Sequence, residues 1–244
     1  MAVYKLIVEY NGKNFYGSQT QKSLRTVEDT INSILSKLLN CRYKLYLSSR
    51  TDTGVSSLCT IGKLVCDENI DTDVFLSKIN NFLPKDIQIV DIKKVKKDFN
   101  VRKVKYKVYQ YTIYNSKYSS PTVFSEYSWW VREKIFFSLL KKASKIISSQ
   151  RKFDFATTKD YIENKKNTSC RIDIKLKKVQ SFIIIKFIGS KFAHRLIRNI
   201  VSLMVDVATK KITLQRLKEI ISCWKYCKTK PAPANGLILI KTVL

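Results

Sequence analysis

Apolar positions alternate through Val3–Tyr10, with Tyr4, Leu6, Val8 and Tyr10 on one face. That spacing predicts a half-buried strand, ended by a turn at Asn11-Gly12. From Thr26 the period changes to a helical one: Val27, Ile31, Ile34, Leu35, Leu38 and Leu39 form a stripe. Thr26 is the predicted N-cap, with Asp29 three residues on. Tyr43–Ser48 and Leu58–Cys66 read as strands around a polar turn, Ser49–Ser57. A second helix is expected over Thr72–Leu83, stopped by Pro84, and a strand over Asp86–Val95. The order β-α-β-β-α-β is the split arrangement of ferredoxin-like domains.

The pattern continues with a long strand, Lys105–Asn115, carrying Tyr106, Tyr109, Tyr111 and Tyr114. A helix over Glu133–Ser148 turns Phe136, Leu139, Leu140, Ala143 and Ile147 inward. Strands Cys170–Val179 and Ser181–Ile188, helices Phe192–Thr209 and Leu214–Cys223, and a strand Leu237–Val243 follow. No internal repeat is detectable. The expected fold is α+β: two ferredoxin-like or RRM-like halves, 1–104 and 105–244, sharing a continuous, mainly antiparallel sheet. Helices are expected on one side of it. The other side is expected to form an RNA-binding cleft, by analogy with sheet-face RNA readers.

Composition narrows the function. At 45% hydrophobic and 11% aromatic residues over 244 positions, the chain can bury a core and is no disordered basic tail. Its 46 Lys+Arg against 19 Asp+Glu give a net charge of +27. Part of that excess reflects a composition rich in Lys, Ile, Asn, Phe and Tyr together. Such a surface still attracts polyanions, and a nucleic-acid partner is expected. A single histidine excludes most metalloenzymes, and any catalytic triad would have to use His194. The six cysteines include no C-x-x-C, and Cys223 and Cys227 lack a second ligand pair, which argues against zinc. The N-terminal run MAVYKLIVEYNG lacks a signal peptide's apolar block. No stretch approaches about 18 apolar residues, so a soluble, cytoplasmic protein is expected.

The most informative stretch is Ser48-Ser49-Arg50-Thr51-Asp52-Thr53-Gly54-Val55. A carboxylate between an arginine and a glycine suits a nucleophile or a phosphate-side anchor. It equally suits a simple turn in which Asp52 bonds its own downstream backbone. The segment closely resembles R-T-D-x-G-V, the catalytic motif of the tRNA pseudouridine synthase A family. Glu9-Tyr10-Asn11-Gly12 with Phe15-Tyr16-Gly17-Ser18-Gln19 resembles the family's E-Y-D-G…Y-G-W-Q, and Leu83-Pro84-Lys85-Asp86-Ile87 its L-P-x-D-I. Asp98-Phe99-Asn100-Val101-Arg102 is similar to D-F-x-A-R, and Tyr109-Gln110-Tyr111-Thr112-Ile113-Tyr114-Asn115 to Y-x-Y-x-I-x-N. Phe153-Asp154-Phe155 and Asn167-Thr168-Ser169-Cys170-Arg171 resemble two mid-chain motifs. Phe192-Ala193-His194-Arg195-Leu196-Ile197-Arg198-Asn199 resembles F-x-x-x-M-V-R-N, and Pro233-Ala234-Asn235-Gly236-Leu237 the terminal P-A-x-G-L. Four serines depart from the pattern: Ser18 for Trp, Ser49 for Gly, Ser56 for His and Ser202 for Gly. They are expected to weaken packing or turn geometry.

The resemblance implies an isomerase that converts uridine to pseudouridine at positions 38–40 of the tRNA anticodon arm, working as a homodimer. The reaction gains no atom and changes no oxidation state, so no cofactor or metal is expected. Asp52 is the implied nucleophile, attacking C1′ or extracting the 2′-hydrogen. Arg50 is the implied flipping residue, since the base must leave its stack to be reached. Tyr109 is the implied uracil-stacking tyrosine, and Arg198 the arginine that keeps the carboxylate ionised. Phe99, Arg102, Asn167, Arg171, His194 and Arg195 are the implied RNA contacts, His194 at a family-variable position where packing is the competing role. The alternatives are a non-catalytic RNA-binding or RNA-folding protein, and a synthase acting on other RNAs.

Overall fold

The computed structural model describes residues 1–158, Asp160, Ile162, 168–223 and 230–244. It is a mixed α+β protein whose strand pairs are mainly antiparallel. Two compact units form, one of Met1–Lys105 with Ile238–Leu244, the other of Tyr106–Leu237.

In the first unit the strands are β1 (Ala2–Tyr10), β2 (Tyr43–Leu47), β3 (Ser56–Cys66) and β4 (Ile87–Lys94). β1 lies between β4 and β3, antiparallel to both, and β2 pairs antiparallel with the Gly62–Cys66 end of β3. The other end of β3, Ser56-Ser57, pairs in parallel with Ile238-Leu239 of a late strand, Leu237–Val243. The alternation in β1 has the expected consequence: Tyr4, Leu6, Val8 and Tyr10 are buried in one cluster with both helices of the unit. Those helices are α1 (Val27–Leu38) and α2 (Thr72–Phe82). Thr26 caps α1, accepting from the Asp29 amide at 3.2 Å while its hydroxyl donates to the Asp29 carboxylate at 2.6 Å. Asp71 caps α2 by accepting from the Asp73 and Val74 amides. Val27, Ile31 and Leu35 from α1 and Ile79 from α2 are fully buried on the sheet.

The second unit is built on β5 (Tyr106–Asn115), with β6 (Trp129–Val131) parallel on one edge and β8 (Phe182–Gly189) antiparallel on the other. β7 (Ile172–Val179) pairs outside β8. Tyr109, Tyr111 and Ile113 are buried opposite Phe187, Ile185 and Ile183 in register. The helices are α3 (Phe137–Ser148), α4 (Leu196–Ala208) and α5 (Leu214–Ser222). α4 is buried nearly all round, which suits its apolar sequence, and is the central helix of the unit.

Two helix starts differ from the sequence expectation. α3 begins at Phe137, not Glu133. The Ile135 amide is taken by Asn115 Oδ1, the Glu133 carbonyl by Asn115 Nδ2, and the Phe136 amide by the Ala208 carbonyl. α4 begins at Leu196, not Phe192, because Arg195 turns into the left-handed region at φ 58°. His194 therefore precedes the helix rather than sharing it with Arg198.

Candidate active site

The Arg50–Val55 loop joins β2 to β3 and is held from three directions. Its own turn is closed by the Val55 amide donating to the Asp52 carbonyl at 3.1 Å, with Gly54 at φ 79° as such a turn requires. At the end of β1, the Tyr10 hydroxyl sits 2.9 Å from Thr51 Oγ1. Burial pushes the Tyr10 phenol up, so it serves there as a neutral hydrogen-bonding group. The segment after β1 supplies the third wall. The Gly12 amide donates to Ser56 Oγ at 3.0 Å, and the Gly54 amide to the Phe15 carbonyl at 3.2 Å. Ser18 Oγ donates to the Ser49 carbonyl and accepts from the Thr51 amide, both at 2.9 Å.

This wall is itself braced. Arg25 lies over the Phe15 ring at 4.2 Å and clasps Asp86 with two bonds of 2.7 and 2.8 Å. Its guanidinium holds the Asp86 carboxyl below the usual carboxylate range. Close approach explains two glycines. A Cβ on Gly12 would lie 2.3 Å from the Val55 carbonyl carbon and oxygen, and one on Gly17, which sits at φ 93°, would lie 2.8 Å from the Thr51 carbonyl oxygen. Gly12→Ala should therefore cost roughly 3 kcal/mol, because backbone rather than a side chain must move. Urea unfolding measures it, and a midpoint equal to the parent's would show that the loop does not press on Gly12. Within this framework Arg50 is exposed and Asp52 half-buried.

In the second unit, Tyr109 is buried on β5 and meets the Phe192 ring edge-to-face at 5.1 Å. Gly189 lies beneath: a Cβ there would come within 2.9 Å of the Arg171 carbonyl and 3.1 Å of the Phe192 ring. From Phe192 the chain passes through His194 and Arg195, both exposed, into α4. The His194 carbonyl accepts from Thr157 Oγ1 at 3.3 Å, and the Asn199 side-chain amide donates to the Ala156 carbonyl at 2.9 Å. Together they fasten the start of α4 to the 153–157 segment. Arg198, one turn in, is held at both ends by Ala232: its Nε donates to the Ala232 carbonyl at 2.7 Å, and its own carbonyl accepts from the Ala232 amide.

Other contributors lie in matched motifs but are joined by contacts distant in sequence. Tyr111 donates to the Pro233 carbonyl at 2.8 Å, and a Cβ on Gly236 would strike its ring at 2.6 Å. Burial pushes the Tyr111 phenol up against a smaller opposing pull from the Arg198 charge. The 232–236 segment thus fixes Arg198 and Tyr111 together. Lys107, two residues before Tyr109, has its ammonium pulled down to about 8 by burial.

Phe99 lines an open hollow of about 710 Å³ with Lys94, Val95, Lys96 and Asp98, and its carbonyl accepts from Lys63 Nζ. Arg102 is exposed, its amide bonded to Asn100 Oδ1. Arg171 is exposed beside a second hollow that Lys145 and Arg151 also line, 3.4 Å from Asp173 Oδ1. Asn167 lies outside the described residues, as does Cys227. Among the described residues, no group of three or more His, Cys, Asp or Glu side chains is placed to hold a metal, and no helix is long and apolar enough to cross a membrane.

Comparison with known proteins bears on what such clusters serve. A profile of the family described as tRNA pseudouridine synthase matches residues 150–243. A tRNA pseudouridine synthase A of Acetivibrio thermocellus is 31% identical over 240 residues, 97% of either chain. That of Aquifex aeolicus is 32% identical over 246 residues, all of both chains, and that of Phytoplasma mali 31% over 241 residues, 98% of this chain and 97% of that one. The chain belongs to the tRNA pseudouridine synthase A family. The profile covers α4 and the 232–236 segment, whereas the Asp52 loop comes within the family through the full-length relatives. Two of the serines that depart from the family pattern, Ser18 and Ser56, are the ones that hydrogen-bond this loop to the segment after β1.

Proposed function

We propose that this protein isomerises uridine to pseudouridine at positions 38–40 of the tRNA anticodon stem-loop, with Asp52 as the nucleophile acting on a flipped-out uridine. The observation that carries the reading is Asp52 itself, in a loop whose backbone is fixed by β1, by the Gly12–Ser18 segment and by its own turn. A carboxylate supported in this way loses little to reorganisation when a substrate arrives. The N1–C1′ bond breaks, the uracil turns, and C5 bonds to C1′ while the C5 proton leaves and N1 gains one. Substrate and product have the same atoms and oxidation state, so the reaction as written calls for no cofactor. Asp52 opens it by attack on C1′ or by removing the 2′-hydrogen.

In this reading Arg50 enters the gap left by the extruded base, Tyr109 stacks on the uracil and assists loss of the C5 proton, and Arg198 keeps the nucleophile ionised. The Ala232 bonds support the last role by fixing the guanidinium's orientation. Phe99, Arg102, Asn167, Arg171, His194 and Arg195 contact the RNA, and the +27 charge draws it in. Two ferredoxin-like halves sharing a sheet, with RNA on the face away from the helices, a homodimer and a cytoplasmic setting complete the proposal.

Purified protein incubated with unmodified tRNA in excess chelator, with nothing added, is the test. Pseudouridine should appear at positions 38–40. Modification elsewhere would make it a synthase for other RNAs, and tRNA binding without any product would make it a non-catalytic RNA-binding protein.

A further inference from the structure

We infer that Ser18 is a positioning residue for the reaction, aligning Arg50 and Asp52 without touching the substrate. This rests on the function proposed above. Ser18 is fully buried, and it engages three successive peptide groups of the reactive loop. Its hydroxyl donates to the Ser49 carbonyl and accepts from the Thr51 amide, and its own amide donates to the Thr51 carbonyl at 3.4 Å. Those carbonyls and that amide belong to the peptide planes between residues 49 and 50, 50 and 51, and 51 and 52. The two planes flanking Arg50 are thereby fixed, which fixes the direction of its Cα–Cβ bond. The third plane enters Asp52.

Ser18 is in turn tied to a rigid element. Its carbonyl accepts from the Glu28 amide at 3.0 Å, and the neighbouring Gly17 carbonyl accepts from the Val27 amide at 3.3 Å. Both amides belong to the first turn of α1, where helical partners are lacking. A continuous hydrogen-bonded path therefore runs from the helix through one serine to the loop. Alanine at this position would retain the amide contact but orphan the Ser49 carbonyl and the Thr51 amide, letting the Arg50 peptides rotate. Displacements of about 1 Å in a reacting group can cost on the order of 100-fold in rate.

The experiment compares Ser18→Ala with the parent in single-turnover pseudouridine formation at saturating tRNA, in tRNA affinity, and in hydrogen exchange of the Thr51 amide. The rate should fall about tenfold to 100-fold, affinity should stay within about twofold, and the Thr51 amide should lose protection. In an Arg50→Ala background the same substitution should cost at least threefold less, because part of what it misplaces is already gone. A parental rate for Ser18→Ala, or the same factor in both backgrounds, overturns the assignment. Should Ser18→Ala not fold, Ser18→Cys, close in shape but a weaker hydrogen-bonding group, carries the same comparison, and a parental rate for it is equally fatal. Failure of the unaltered protein to form pseudouridine sinks the proposed function. A parental rate in the variant of an active protein sinks only Ser18's role.

Discussion

Asp52→Asn is expected to abolish pseudouridine formation, by on the order of 10⁴-fold or more, while leaving tRNA affinity within a few-fold of the parent. The substitution is nearly isosteric, and the hydrogen bond that closes the turn uses the Asp52 carbonyl rather than its side chain. The loop should keep its shape. What disappears is the negative charge, without which the group neither attacks C1′ nor removes the 2′-hydrogen. Docking depends on many cations spread over the surface and should barely register the change. Single-turnover assays with direct detection of pseudouridine make the measurement. Turnover near the parental rate would remove Asp52 from the chemistry and leave the loop an ordinary turn.

Arg50→Ala should separate chemistry from attraction. It lowers the net charge by one from +27, so the slope of log affinity against log salt should change by at most about one unit. The rate should nevertheless fall by orders of magnitude, because nothing fills the gap from which the uridine is drawn. Arg50→Lys is the sharper variant. It preserves the charge on an exposed loop position but replaces a planar, stacking guanidinium with a flexible ammonium, and should rescue little. Single-turnover rates and affinities at several salt concentrations decide the matter. If the lysine variant keeps near-parental turnover, Arg50 is one phosphate contact among many.

Elements with a strong period were legible in the chain itself. The β1 alternation, the α1 stripe with its Thr26 cap, and the stop at Pro84 all appear in the structure within a residue or two of their expected bounds. The first residues expected of α3 and α4 failed for a different reason. Their apolar spacing continues a helical pattern, but backbone partners distant in sequence, Asn115 and Ala208 for α3, and the left-handed turn at Arg195 for α4, claim those residues instead. β6, three residues long, is too short to show any period and exists because β5 offers it an edge. The candidate site divides in the same way. Arg50, Asp52 and Gly54 stand within five positions, but their spacing suits an ordinary turn equally well, and only the family resemblance sets them apart. Ser18 in place of Trp reads in the sequence as lost packing, because its two hydrogen bonds reach a loop some thirty residues away. The hold of Ala232 on Arg198 and of Pro233 on Tyr111 spans 34 and 122 residues, and no local pattern announces either.

The pairing of Ser56-Ser57 with Ile238-Leu239 bears on how the protein comes to be made. The first unit is interrupted: 132 residues of the second, Tyr106–Leu237, are translated before its last strand exists. Until then the β3 end directly after the Asp52 loop lacks that neighbour, and Cys59 lacks the Thr242 hydroxyl that later bonds its carbonyl at 2.9 Å. A nascent chain can assemble most of the first sheet from contacts within residues 1–105, yet the strand beside the Asp52 loop closes only once Ile238-Leu239 have been made. Arg50 and Asp52, the proposed flipping residue and nucleophile, are thus made before the strand that completes their support, so a chain abandoned between them and Ile238 would carry the motif on an unfinished sheet.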